Sequence, residues 1–139
     1  MILLIALGLC LFVESARGSD QTNLIGSQMT TEDAVLKSDF ILVGKFTTIG
    51  NGPSSDKAGI DYYDHASVKV AQSLKGSFSG TMTVDYSVKT SPPASEGTPD
   101  LKTSYILFVH RVNPTLLYVD KLLPATDANI AEVRKLVSR

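Results

Sequence analysis

Cysteine, tryptophan and histidine are scarce in this chain. Its 139 residues include one cysteine, Cys10, two histidines and no tryptophan. One thiol cannot form a disulfide within the chain, and it cannot supply the cysteine clusters of structural zinc sites. The sequence also lacks a glycine-rich phosphate-binding loop, a Gly-x-Ser-x-Gly nucleophile motif and a zinc-protease motif. These absences exclude the enzyme classes that can be recognised from such short motifs.

An excess of positive charge is missing as well. The formal net charge is −1 at pH 7, whereas binding to nucleic acid or to an anionic membrane calls for a basic surface. We therefore predict that nucleic acid is not a partner. Long apolar runs of membrane-spanning length are also missing, so no stable membrane span is predicted.

One short apolar run, residues 2–13, opens the chain. It has the length of a signal-peptide core, and Ala16 and Gly18 occupy the small-residue positions of a cleavage site before Ser19. We therefore predict a signal peptide over 1–18 and a secreted or periplasmic location. The alternative is a buried N-terminal helix.

Cys10 lies within the predicted signal peptide. The small residue that a lipoprotein box places before its cysteine is replaced here by Leu9, so lipid attachment is disfavoured. Cleavage would then leave a mature chain without a thiol.

The remaining sequence predicts a short helix, five strands and a C-terminal helix. Residues 19–29 are polar, and we expect a flexible N-terminal segment there. Thr30 or Thr31 can cap the first helix, and Thr126 or Asp127 can cap the last. The predicted strands are FILVGKFTTI, ASVKVAQSL, TMTVDYSVK, SYILFVHRV and LLYVDKLLP.

The first and fourth strands are apolar along most of their length, so both of their faces are predicted to be covered. The third alternates, with Met82, Val84, Tyr86 and Val88 facing inward. A single five-stranded sheet of this size buries its faces best by curling into a barrel, and Gly44 lets the first strand bend. We therefore predict an all-β fold with flanking helices, a five-stranded OB-fold Greek-key barrel over 30–139. A β-sandwich, which normally has about seven strands, is the nearest competitor.

Several segments carry a resemblance to a known family: AVLKSDFILVGKFTTI, ASVKVAQSLKGSFSGTMTV, YILFV and YVDKLLPAT. Together they resemble the netrin-like domain, the fold of the tissue inhibitors of metalloproteinases, over roughly residues 31–137. The matching positions are Asp39, Gly44, Lys45, Leu74, Lys75, Gly76, Tyr105, Leu107 and Phe108.

The resemblance implies an OB-fold scaffold. For the inhibitors it also implies an N-terminal cysteine whose amine and carbonyl chelate the protease zinc. The predicted mature N-terminus here is Ser19, and the domain contains no cysteine, so that wedge has no counterpart residue. The scaffold alone does not specify a function.

The cluster DYYDH at residues 61–65 is the most chemically suggestive stretch. Asp61, Asp64 and His65 are residue types that ligate metals. In an extended segment, however, Asp64 and His65 point to opposite sides. We favour two solvated aspartates and a histidine at the strand edge, and we predict no metal or other cofactor.

Two tyrosines in the same stretch are better candidates for binding. Tyr62 and Tyr63 lie at the rim of the loop between the first two strands, where OB-folds often bind, and tyrosine is a common interface anchor. The alternative is that they cover the barrel end. No aromatic residue faces outward on the second and third strands from Ser67 to Lys89, which again disfavours nucleic acid.

His110 is expected to be a satisfied residue at the core rim, because the sequence offers no nucleophile and orienting group for it. We therefore predict a non-catalytic secreted or periplasmic module that binds another extracytoplasmic protein. One alternative is a metalloprotease inhibitor of divergent mechanism. The second is a hydrolase whose site no motif reveals.

Overall fold

The computed structural model describes residues 24–51, 62–88 and 99–139. Two helices and five strands lie within these ranges. In chain order they are α1 (Thr31–Lys37), β1 (Phe40–Asn51), β2 (Tyr62–Lys75), β3 (Gly80–Val88), β4 (Tyr105–Asn113), β5 (Leu116–Pro124) and α2 (Asp127–Val137). No helix within the described ranges has the length and apolar character that crossing a membrane requires.

The five strands form a closed barrel in the order β1-β2-β3-β5-β4. All neighbouring pairs are antiparallel except β3 and β5, which run parallel. β2 and β3 form an antiparallel hairpin, and the predicted all-β barrel with a short helix before it and a C-terminal helix is confirmed. This order is consistent with an OB-like Greek-key barrel.

Two apolar clusters explain why β1 and β4 are apolar on both faces. Inside the barrel, Leu42 and Phe46 of β1 pack with Leu107 of β4. On the outside, Ile41 of β1 and Phe108 of β4 pack under the helices. The predicted covering of both faces is therefore confirmed, and the helices supply the outer cover.

Both helices begin where capping residues predict. The Thr30 side chain accepts a 3.1 Å hydrogen bond from the Asp33 amide at the start of α1. At α2, the Thr126 side chain accepts one of 3.1 Å from Asn129. Each bond satisfies an amide that has no partner within its helix. The apolar residues of α2 pack in the outer cluster, and they are Ile130, Val133, Leu136 and Val137.

Bulges in the β1–β2 pair curve the barrel. The register shifts between Val43 and Gly44. A Cβ atom on Gly44 would lie 2.5 Å from the Lys69 carbonyl oxygen, so only glycine permits this close approach of the two strands.

The same register shift decides which face of β2 carries Gln72. Strict alternation along the strand would place Gln72 on the face of Val68 and Val70, which is turned toward the barrel core. In the structure, Gly44 pairs with Val70 while Val43 pairs with Gln72, so Ala71 is the extra residue of a bulge. Because cross-strand partners share a face, Gln72 lies on the same outer face as Val43.

The hairpin between β1 and β2 is longer than the sequence predicts. The sequence predicts a second strand that starts at Ala66, with the preceding residues in a loop. In the structure β2 begins at Tyr62 and pairs with the end of β3. Tyrosine favours pleated, paired backbone, and pairing with β3 overrides the turn-forming tendency of the aspartate.

Residues 24–29 are anchored to β5, although they fall in the segment expected to be flexible. Ile25 is buried in the barrel core, and its carbonyl accepts a hydrogen bond of 2.9 Å from the Leu122 amide. The buried Lys121 ammonium donates to the carbonyls of Gly26 at 3.0 Å and Met29 at 2.7 Å. The predicted flexible segment therefore contains a part that is fixed to the barrel.

Candidate functional site

A groove lies between the two helices on the covered side of the barrel. Its volume is about 280 Å³. The apolar part is formed by Val35 and Leu36 of α1 together with Leu136 and Val137 of α2. An apolar concave surface between two helices is a form that binding sites commonly take.

Leu36 at the edge of this groove is the most exposed of the large apolar side chains described. It is 81 % exposed, compared with 52 % for Val112 and 50 % for Leu101. Its neighbours Ala34 and Val35 are buried, whereas Leu36, one position further along α1, is exposed to solvent beside the groove. A leucine beside an apolar concave surface enlarges the apolar area that a partner can cover.

Charged residues border the groove. Glu32 lies at the first turn of α1, Lys75 ends β2, and Arg139 follows α2. The Lys75 ammonium donates a 2.8 Å hydrogen bond to the Val35 carbonyl, which holds this cation at the rim. An apolar centre with a charged border is the usual anatomy of a protein interface.

A second arrangement crosses the open outer face of the barrel. The register places His65 of β2 opposite Asp85 of β3, Asp85 beside Tyr118 of β5, and Tyr118 opposite His110 of β4. These four residues, the polar row, span four adjacent strands. Their neighbours in sequence face the barrel core, so the polar row lies outside.

Each histidine in the polar row is paired with a carboxylate. Nδ1 of His65 is hydrogen-bonded to Oδ1 of Asp85. Nδ1 of His110 lies 2.5 Å from Oδ2 of Asp120, and the His110 ring packs on Tyr118 with centroids 5.6 Å apart. A carboxylate accepts the Nδ1 proton, which leaves Nε2 of each ring as the second polar atom.

Asp120 connects β4, β5 and α1. Its side chain is only 4 % exposed, and its second oxygen lies 3.3 Å from the ammonium of Lys37. The β4–β5 register shifts at this position, so the bulge turns Asp120 toward both partners. The two partners supply the hydrogen bond and the opposite charge that a buried carboxylate needs.

The chemistry of the His110–Asp120 pair is limited by what surrounds it. An imidazole oriented by a carboxylate is two-thirds of a hydrolytic triad. Among the residues that the structure describes, no serine or threonine hydroxyl is hydrogen-bonded to His110. The hydrogen bond to Asp120 satisfies His110 at the rim of the barrel, which is the role expected for His110 from the sequence.

The predicted DYYDH residues do not all fall within the described ranges. Asp61 lies outside them. Asp64 lies in β2 opposite Tyr86, and Tyr62 and Tyr63 lie opposite Val88 and Ser87 in β3. The side chains of Tyr62, Tyr63 and Asp64 are not described, so their predicted roles stay predictions.

Metal ligands do not cluster in the described part of the chain. No group of three or more histidine, cysteine, aspartate or glutamate side chains there is placed to hold a metal ion. His65 turns instead toward Asp85, which is twenty residues away in sequence.

The sequence groups His65 with the nearby Asp61 and Asp64, and the polar row, in which His65 contacts Asp85, was not predicted. The signal was present in the β2–β3 hairpin, because the register of an antiparallel pair follows from its turn. The groove gave a weaker signal: Leu36 occupies the solvent side of a short amphipathic helix, where a polar residue is usual.

No family model and no curated protein matches this chain. The geometry of the groove therefore carries the functional argument.

Proposed function

We propose that this chain is a non-catalytic binding module that acts outside the cytoplasm and contacts a partner protein through the groove between α1 and α2. The observation that supports this function is the exposed Leu36 beside an apolar groove of about 280 Å³. Burial of this surface by a partner would release water from apolar side chains, and each side chain of this kind contributes about 1.5–3 kcal/mol when fully buried.

The charged border supports a protein as the partner. Lys75 and Glu32 provide opposite charges at the edge of the apolar surface. Such a rim contributes to orientation and to the rate of association, while the apolar centre contributes most of the affinity. The predicted contact residues Tyr62 and Tyr63 belong to the same proposal as a second surface, at the end of the β1–β2 hairpin.

Affinity purification of the tagged chain from the compartment that contains it tests the proposal. Tagged and untagged copies of the chain are produced together, so that an untagged copy retained by the tagged one can be detected. The wild-type chain is compared with Leu36→Glu. After chemical cross-linking, which preserves weak contacts, we expect a protein to be retained by the wild type and lost in Leu36→Glu. Leu101→Glu is the matched control, because it places the same charge at another exposed leucine. Equal retention by all three chains would contradict a role for the groove.

A metalloprotease inhibitor of divergent mechanism is the second proposal. It is supported by the anchoring of residues 24–29 to β5 through Ile25 and Lys121. The family resemblance implies that disulfides hold the N-terminal segment, and here buried apolar and hydrogen-bonded contacts hold part of it. Assays against a panel of zinc proteases test this mechanism, and we would abandon it if micromolar protein inhibits none of them.

A further inference from the structure

Leu36 and the groove lie side by side on one surface of the molecule. Leu36 borders the groove and is 81 % exposed, while Val35, Leu136 and Val137 form the apolar remainder. The same surface therefore presents a projecting apolar side chain and a recess that can receive one. Protein cavities of roughly 150 Å³ hold a molecule of benzene, and this groove of about 280 Å³ has room for a leucine side chain.

We propose that the partner of the groove is a second copy of this chain, which docks by a two-fold contact. A two-fold interface joins the same patch of both copies, so each feature must meet its complement on the other copy. Here Leu36 of each copy enters the groove of the other. This inference rests on the proposed function, because it names the occupant of the surface to which that function is assigned.

The charges around the groove are self-complementary. Among the residues that line the groove, Glu32 belongs to α1, Arg139 follows α2 and Lys75 ends β2, so the lining carries both signs of charge. In the proposed arrangement the two-fold axis runs along the groove, and it brings α1 of one copy over α2 of the other. Glu32 of each copy then faces a cation of its partner, which a patch carrying one sign of charge could not achieve.

The dimensions of the contact set its strength. α1 has 7 residues and α2 has 11, so the surface around one groove is small. Stable complexes bury about 1,200–2,000 Å² in total, and smaller contacts are weak or transient. The two-fold contact is therefore a weak association that depends on protein concentration.

Sedimentation equilibrium of the purified natural chain, from about 10 µM to about 1 mM, tests the inference over the range expected of weak contacts. We expect the weight-average mass to rise toward twice that of the monomer. Leu36→Glu should weaken the association at least tenfold, because it places a carboxylate in an apolar groove. Leu101→Glu should leave it unchanged. A mass that stays monomeric over the whole range would overturn the inference.

A charge exchange between copies tests the geometry independently of Leu36. Glu32→Arg alone places two cations face to face, and Arg139→Glu alone places two anions face to face, so each variant should associate more weakly than the wild type. An equimolar mixture of the two restores opposite charges at both contacts of a mixed pair, and its association should recover. No recovery in the mixture would overturn the two-fold arrangement.

These measurements separate the inference from the proposed function. If the purified chain stays monomeric while affinity purification retains a different protein through Leu36, the second copy is the wrong occupant and the binding function stands. If Leu36→Glu changes neither self-association nor retention of another protein, both proposals fail.

Discussion

Asp120 is the residue on which several parts of the fold depend. It is 4 % exposed, it lies at a bulge of β5, and its carboxylate contacts His110 of β4 and Lys37 of α1. The adjacent Lys121 is also buried and reaches the carbonyls of Gly26 and Met29. Two neighbouring side chains at one bulge thus fasten the N-terminal part of the chain to the barrel.

Replacing Asp120 should destabilise the protein. In Asp120→Ala, His110 and Lys37 lose their acceptor, and hydrogen bonds to charged groups are worth about 1.5–3 kcal/mol each in native proteins. We expect the free energy of unfolding in urea to fall by about that amount. Glu132→Ala removes a carboxylate from the exposed surface of α2, and it should change the free energy by no more than about 0.5 kcal/mol. Equal stability of the two variants would contradict this account of Asp120.

Asp100 gives a prediction that concerns pH. The Thr103 hydroxyl and the amides of Thr103 and Lys102 donate to its carboxylate, and they lower the pKa of Asp100 from its usual 3.8. Because the folded-state pKa lies below the unfolded-state value, the bonds stabilise the fold above the unfolded-state pKa. That stabilisation is lost as the pH falls through the folded-state pKa.

A carbon-detected NMR titration of the Asp100 carboxyl measures this directly. The midpoint should lie below 3.8 in the wild type. Thr103→Val removes the hydroxyl while keeping the shape of the side chain, so the midpoint should move upward. A midpoint unaffected by this substitution would mean that the hydroxyl does not lower the pKa of Asp100.

At the level of elements, the strands were more predictable than their register. β1 and β4 were recognisable because both of their faces are apolar, and β3 because it alternates strictly. The bulge at Ala71 reverses the faces of Gln72 and Ser73 before a second shift restores them at Lys75, and no local pattern in the sequence marks either position. Bulges arise from the curvature of the closed barrel, which is a property of the whole sheet.

The anchoring of residues 24–29 was not predictable for a related reason. The segment is short and polar apart from a few residues. Ile25 is buried because it packs in the barrel core and its carbonyl accepts a hydrogen bond from the Leu122 amide. Lys121 was indistinguishable in sequence from a solvated lysine. Its burial follows from two carbonyls that lie more than 90 residues earlier in the chain.

Removing the Lys121 ammonium tests this anchor. In Lys121→Met the carbonyls of Gly26 and Met29 lose a charged donor, while the aliphatic part of the side chain is kept. We expect the amides of Ser27 and Met29, which close turns in this segment, to exchange with solvent at least tenfold faster. Lys45→Met is a suitable control, because Lys45 is exposed on β1. Unchanged exchange would contradict an anchoring role for the Lys121 ammonium.

At the level of the whole molecule, the barrel architecture could be predicted from the sequence, whereas the groove could not. The position of Tyr62 and Tyr63 beside a loop singles them out in the sequence, and their binding role stays a prediction. The groove depends on how α1 and α2 approach each other over the outer faces of β1 and β4. That approach depends on packing between distant segments, so the sequence alone does not place Leu36 at a groove.

Export is a second property of the whole chain that can be measured. The apolar run at residues 2–13 and the small residues Ala16 and Gly18 predict cleavage before Ser19. The intact mass of the protein recovered from outside the cytoplasm should correspond to a chain that starts at Ser19. Ala16→Arg should block processing, because the position three residues before the cut accepts only small side chains. Recovery of unprocessed wild-type chain from the cytoplasm would contradict secretion.

Cross-linking from within the groove tests the central claim most directly. A photo-reactive amino acid at position 36, compared with the same residue at position 101, is activated in the cell that produces the protein. Both positions are exposed leucines, and only Leu36 borders the groove. We predict a discrete cross-linked protein species from position 36 that position 101 does not give. An identical pattern from both positions, or no protein product from position 36, would contradict a binding function for the groove.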